Sequence, residues 1–179
     1  MAKQVSTTYG EALFELAMEE NKIDDFFAEA QALFTVFAEN EEMVKLLRHP
    51  KVLKEDKIAF VENVFEGQAS EAMVGFLTII IKKDRQSDIP SILEYFIKRV
   101  KDYKQIGVAE VTSAVALTEE QKSKVQARLL ETTDFKSVEV SYKEDSALIG
   151  GMVIRIADRV VDSSIRTQLS TMKQTLLKA

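Results

Sequence analysis

The sequence predicts an α+β protein of two domains: a six-helix bundle over residues 1–105, then a small α/β domain with a mixed sheet over 106–179. Three observations lead there. Up to about Gln105, apolar residues recur at steps of three and four, the period of helices with one buried face. From Ile106 onward, short stretches alternate apolar and polar residues, as half-buried strands do. Of the 179 residues, 46% are hydrophobic and 30% charged, which suits a core beneath a solvated exterior.

The elements follow in chain order. Residues 5–20 place Tyr9, Ala12, Leu13, Leu16 and Ala17 on one stripe, and 23–38 repeat the pattern with Ile23, Phe26, Phe27, Ala30, Leu33, Phe34 and Phe37. A short helix over 41–47 stops near His49-Pro50, because proline disfavours the helical conformation in the residue before it. A fourth helix, 54–65, carries Ile58, Val61, Val64 and Phe65 and ends at Gly67. Helices over 69–83 and 88–105 complete the bundle, the last capped by Ser87 or Asp88 with Pro90 in its first turn. Strands are expected at 108–113, 138–142, 152–156 and 159–161, with Ala157-Asp158 as a tight hairpin turn. Thr118-Glu119-Glu120-Gln121 is a capping-box start for a helix running to about Thr132. A final helix covers 164–178. The domain boundary falls near 104–108.

Composition and charge exclude several kinds of function. A net charge of −5, with lysine and arginine scattered among acids, argues against a nucleic-acid binder, which needs clustered cations to neutralise phosphates. There is no cysteine, hence no disulfide and no thiolate metal site. Residues 1–10 have neither the apolar core of a signal peptide nor the arginines of a transit peptide, which favours a bacterial source. The longest apolar stretch, 73–81, is far shorter than the ~20 residues a spanning helix requires. No direct membrane insertion is expected.

Candidate chemistry is sparse. The one histidine, His49, precedes Pro50 at a helix end and reads as a loop or cap residue. The pairs Asp24-Asp25, Glu41-Glu42 and Glu119-Glu120 are neighbours in sequence, so on a helix they point in different directions. Gly150-Gly151 precedes a strand rather than a helix, which suits a tight entry or bulge and not a phosphate loop. No catalytic residue, cofactor, metal or small-molecule substrate is expected. One element is surplus to a simple bundle. In 69–83, Met73, Val74, Phe76, Leu77, Ile79, Ile80 and Ile81 cover nearly the whole circumference of a helix. Such a helix is either central in its own core or covered on one face by another protein.

Specific residues also match a known family. The opening Tyr9-Gly10-Glu11-Ala12-Leu13-Phe14-Glu15-Leu16-Ala17, the run Ala109–Ala114, and Leu117-Thr118-Glu119-Glu120-Gln121 resemble the delta subunits of F-type ATP synthases, relatives of the mitochondrial oligomycin-sensitivity-conferring protein. Leu148-Ile149-Gly150-Gly151-Met152-Val153-Ile154-Arg155-Ile156 and Val161-Asp162-Ser163-Ser164-Ile165-Arg166 continue the match in order and spacing. Two positions depart from the pattern: Ala157 and Ser163 stand where that family usually has glycine.

The resemblance implies a non-catalytic stator subunit, linking the top of the alpha–beta catalytic head to the peripheral stalk so that ion-driven rotation is coupled to ATP synthesis. It implies a place at the cytoplasmic face of the bacterial cell membrane, peripheral, within the complex. Its first and fifth helices would hold the N-terminal helix of an alpha subunit, with Tyr9, Ala12, Leu13, Leu16, Leu77, Thr78 and Ile81 as candidate residues. The C-terminal domain would hold the b subunits of the stalk, with Ile165, Leu169, Met172 and Leu176 on the last helix as a candidate stripe. Packing of that stripe on its own sheet is the favoured use. A helical RNA-binding or transcription factor, and an enzyme with an unfamiliar carboxylate site, are the rival readings.

Overall fold

A computed structural model describes residues 2–178 and divides into two compact units, one ending at Val100 and the other beginning at Lys101. The division falls inside the last helix of the first unit, whereas the change of periodicity lies at 105/106. Among the described residues there are eight α-helices and one four-stranded mixed sheet.

The first unit is built from α1 (Ala2–Glu19), α2 (Ile23–Glu39), α3 (Glu41–Arg48), α4 (Lys54–Phe65), α5 (Glu71–Lys82) and α6 (Ile89–Lys104). Each buries most of the stripe its spacing dictates, with Ala12 on α1 and Val64 on α4 left exposed. On α2 that stripe is Phe26, Ala30, Leu33 and Phe37; on α6 it is Ile89, Ile92, Leu93, Phe96 and Val100. These join Leu13, Leu47, Val61, Leu77 and Ile80 in one continuous core. The ends are chemically marked. Ser70 accepts a hydrogen bond from the Met73 N–H at the start of α5 and donates one to Glu29 at 2.8 Å. Asn21 and Asp84, which tolerate the left-handed region better than most residues, follow α1 and α5 with φ of 55° and 57°. His49 is the cap residue of α3, and its Nδ1 accepts from the Lys51 N–H at 3.2 Å.

In the second unit the strand order is β2-β1-β3-β4, with β1 (Ile106–Ser113), β2 (Ser137–Glu144), β3 (Met152–Ile156) and β4 (Arg159–Asp162). The helix α7 (Glu119–Thr132) makes the crossover that allows β1 and β2 to run parallel. Its capping box forms: Thr118 N–H donates to Gln121 Oε1 at 2.9 Å, and Gln121 N–H donates to Thr118 Oγ1 at 3.4 Å. The β1–β3 and β3–β4 pairs are antiparallel, and the register Ile156↔Arg159 leaves Ala157-Asp158 as the two-residue hairpin loop. On β1, Gly107, Ala109, Val111 and Ser113 are buried while Val108 faces out, the alternation expected of period two. The core beneath is small: Ala109, Leu129, Val138 and Ile156 are its buried members. Strand β4 is exposed at every position, and every residue of α8 (Ile165–Lys178) whose burial is described is exposed.

Candidate functional site

In the first unit α1 is held by a latch to α6. Tyr95 Oη donates to Glu11 Oε1 at 2.7 Å, Arg99 Nε donates to the same oxygen at 3.1 Å, and the Arg99 guanidinium lies 4.7 Å from the centre of the Phe14 ring. A Cβ on Gly10 would come within 2.4 Å of the Tyr95 ring, so only glycine lets the two helices approach this closely. Gly10, Glu11 and Phe14 of the opening motif are therefore occupied in fastening α1.

The candidate residues on α1 and α5 divide by burial. Leu13, Leu77 and Ile81 are sealed in the core and present no surface. Tyr9 and Leu16 are half-buried against that core, and Ala12 is exposed. Thr78 is buried, and its Oγ1 has no hydrogen-bond partner. The apolar circumference of α5 is mostly spent inside: Met73, Phe76, Leu77, Ile80 and Ile81 all belong to the core. What reaches solvent is a strip at Gly75 and Ile79, the latter 51% exposed. Spacing alone did not single out Ile79, although it lies on the meridian of Gly75 and Lys82, the polar side of the helix. The 3₁₀ turn at Gln86–Asp88 packs on both α1 and α5 and ties the two elements together.

In the second unit the paired glycines seat the last helix. Gly151 has a φ of +75°, and a Cβ there would stand 2.3 Å from the Ser163 carbonyl oxygen. A Cβ on Gly150 would meet the Ile165 side chain at 2.6 Å. With both side chains absent, Ile165 N–H donates to the Gly150 carbonyl at 3.0 Å and Ser163 N–H to the Met152 carbonyl at 3.0 Å. Asp162 finishes the anchor. It accepts from Ser164 N–H at 2.8 Å and from Thr167 Oγ1 at 2.7 Å, and these bonds hold its carboxyl below the ordinary range.

From that anchor α8 packs mainly on the 3₁₀ turn at Ser146–Leu148. The stripe Ile165, Leu169, Met172 and Leu176 does not lie on the sheet. It is 42%, 53%, 61% and 78% exposed in order, rising with distance from the Asp162 and Gly150 contacts at the helix start. Beside β3 and β4 the sheet leaves an apolar groove of about 470 Å³, with Val125, Leu129, Ile154 and Val161 on its walls and Lys124, Arg128 and Arg159 around it. Val160 and Val161 are themselves more than half exposed. Unpartnered apolar surface of this extent marks an interaction site.

No group of three or more potential metal-ligating side chains occurs among the described residues. The features that do ask for a function are apolar and solvent-facing, one set on each unit. Exposed apolar sets of this kind belong to the class of proteins that work by contact with other proteins.

The comparisons agree. The family model for the ATP synthase delta (OSCP) subunit matches residues 5–176. The ATP synthase subunit delta of Lachnoclostridium phytofermentans is 50% identical, over 99% of this chain and 98% of the relative. That of a Nostoc species is 34% identical, over 93% and 90%. The fold is shared with a chain of the Toxoplasma gondii mitochondrial ATP synthase hexamer, with a TM-score of 0.75, 14% identity and coverage of 96% and 97%. The chain belongs to the ATP synthase delta (OSCP) subunit family. As a member it is a non-catalytic component of the peripheral stalk of the F-type ATP synthase. No helix among the described residues is long and apolar enough to cross a membrane.

Proposed function

We propose that this subunit joins two particular partners: the N-terminal helix of an alpha subunit at the helical unit, and the b subunits of the stalk at the α/β unit. The observation that carries this reading is the exposed α8 stripe together with the open groove beside β3 and β4. A domain whose core cluster has four buried members leaves apolar residues in solvent, and a stalk helix would cover them. On the helical unit, the strip of Gly75 and Ile79 with Ala12 and the half-buried Tyr9 and Leu16 supplies small and apolar positions for an amphipathic helix. By this reading the subunit sits at the cytoplasmic face of the cell membrane and keeps the alpha–beta head from turning with the rotor.

The test is calorimetric. The full chain is titrated with a synthetic N-terminal peptide of the alpha subunit from its own complex, and separately with the soluble part of the b subunits. Saturable binding of each, the first weakened by Ile79→Asp and the second by Leu169→Asp, supports the assignment. A folded chain that binds neither contradicts it.

A further inference from the structure

The α8 stripe has the spacing of a coiled-coil seam. Ile165, Leu169, Met172 and Leu176 follow one another at steps of four, three and four, which places them at alternate d and a positions of a heptad. The seam is open to solvent for about 16 Å, the eleven steps from Ile165 to Leu176 at ~1.5 Å each. The flanks are specific as well. Arg166 and Lys173 follow the two d residues and occupy the e positions; Gln168 and Thr175 occupy g. Between Ile165 and Lys178 there is no acidic residue, in a chain whose net charge is −5. Neither Arg166 nor Lys173 has an ion-pair partner among the described residues.

A second observation points to the same surface. Ile149 has φ 67° and ψ −40°, a conformation that a β-branched residue enters only at a cost. Its side chain is 65% exposed, so packing within its own unit does not offset that cost. It directly precedes Gly150, against which Ile165 at the start of α8 is seated. The turn around it is firmly tied, with Leu148 N–H on the Asp145 carbonyl, Ile149 N–H on the Ser146 carbonyl, and Ala147 N–H on Asp145 Oδ1.

We infer that α8 with Ile149 is one half of a short heterotypic coiled coil, whose other half is a partner helix with an apolar heptad seam flanked by glutamate or aspartate. A second copy of this chain is the wrong occupant. Antiparallel pairing would set Arg166 and Lys173 against their own kind, and parallel pairing would face them with Gln168 and Thr175, which offer no charge. The inference rests on the stalk reading and specifies the chemistry its partner brings.

The probes are two designed peptides of about four heptads, with leucine along the seam and either glutamate or lysine on both flanks. Each is titrated calorimetrically into the full chain, with thermal melts confirming that every variant is folded. The glutamate peptide binds at least about tenfold more tightly than the lysine peptide, and the gap narrows with salt. Arg166→Glu with Lys173→Glu reverses the preference, and Leu169→Asp weakens both peptides. Ile149→Gly raises the melting temperature while weakening the glutamate peptide severalfold, because strain and anchor are removed together. Equal affinity for the two peptides, binding of neither, or an Ile149→Gly variant that is stabilised with unchanged binding overturns the inference. A chain that holds its own b subunits yet ignores flank charge contradicts this inference alone. One that prefers the glutamate peptide but does not hold the b subunits contradicts the stalk assignment alone.

Discussion

Ala157 sits in the β3–β4 hairpin with φ 47°, a left-handed conformation that costs a residue with a Cβ about 1 kcal/mol. Ala157→Gly removes that strain without touching the core, and chemical denaturation is expected to show stabilisation of about 1 kcal/mol. Gly151 is the opposite case. A methyl there meets a backbone oxygen that cannot swing aside, so Gly151→Ala is expected to cost roughly 2–3 kcal/mol and to loosen α8 at its start. Asp162 makes that start sensitive to acid. A carboxylate with a depressed folded pKa adds stability above its unfolded value and loses it as pH falls through the folded one. Amide exchange at residues 164–168 should therefore accelerate only below about pH 4, and Asp162→Asn should abolish that dependence. An unchanged profile in the variant would assign the acid sensitivity to another group. The glycine pair was legible in the sequence as a tight entry to a strand. What it is tight against, Ser163 and Ile165, is a long-range fact that no local pattern contains.

At the scale of elements, α5 and α8 show what periodicity tells and what it omits. A helix apolar all round must be covered all round, and α5 meets that demand chiefly with its own core. The surplus is confined to the strip at Ile79. Two substitutions separate the roles. Leu77→Asp puts a charge where nothing can solvate it and is expected to cost about 4 kcal/mol or more, enough to unfold the helical unit. Ile79→Asp leaves the melting temperature within about 3 °C of the parent while weakening the alpha-subunit peptide at least about tenfold. If Ile79→Asp unfolds the chain, the strip is core and not surface. On α8 the spacing identified the apolar stripe correctly but not its destination. Amphipathicity shows that one face avoids water and is silent on whether sheet or partner covers it. The bonds that seat the helix, from Asp162 and Gly150, come from outside it and are not part of its own pattern. Strand β4 carried a further signal: two adjacent valines on a short edge strand, where alternation would have put a polar residue.

For the molecule as a whole, most of the fold could be read from the chain. The change from a period near 3.6 to a period of two marked both classes of element, and the six helices, four strands and two further helices occur in the expected order. The surfaces were less legible because partner-facing and core-facing residues are drawn from the same apolar alphabet. Leu77 and Ile79 differ in environment by the turn of one helix, not by chemistry. A connector needs two grips that work independently, and the exposed apolar sets lie on separate units with separate cores. Sedimentation velocity on the full chain mixed with the alpha-subunit peptide and the soluble b subunits measures this directly. The expected result is a ternary complex, from which Ile79→Asp loses only the peptide and Leu169→Asp only the b subunits. Competition between the two partners, or loss of both from a folded chain carrying one substitution, would contradict the connector.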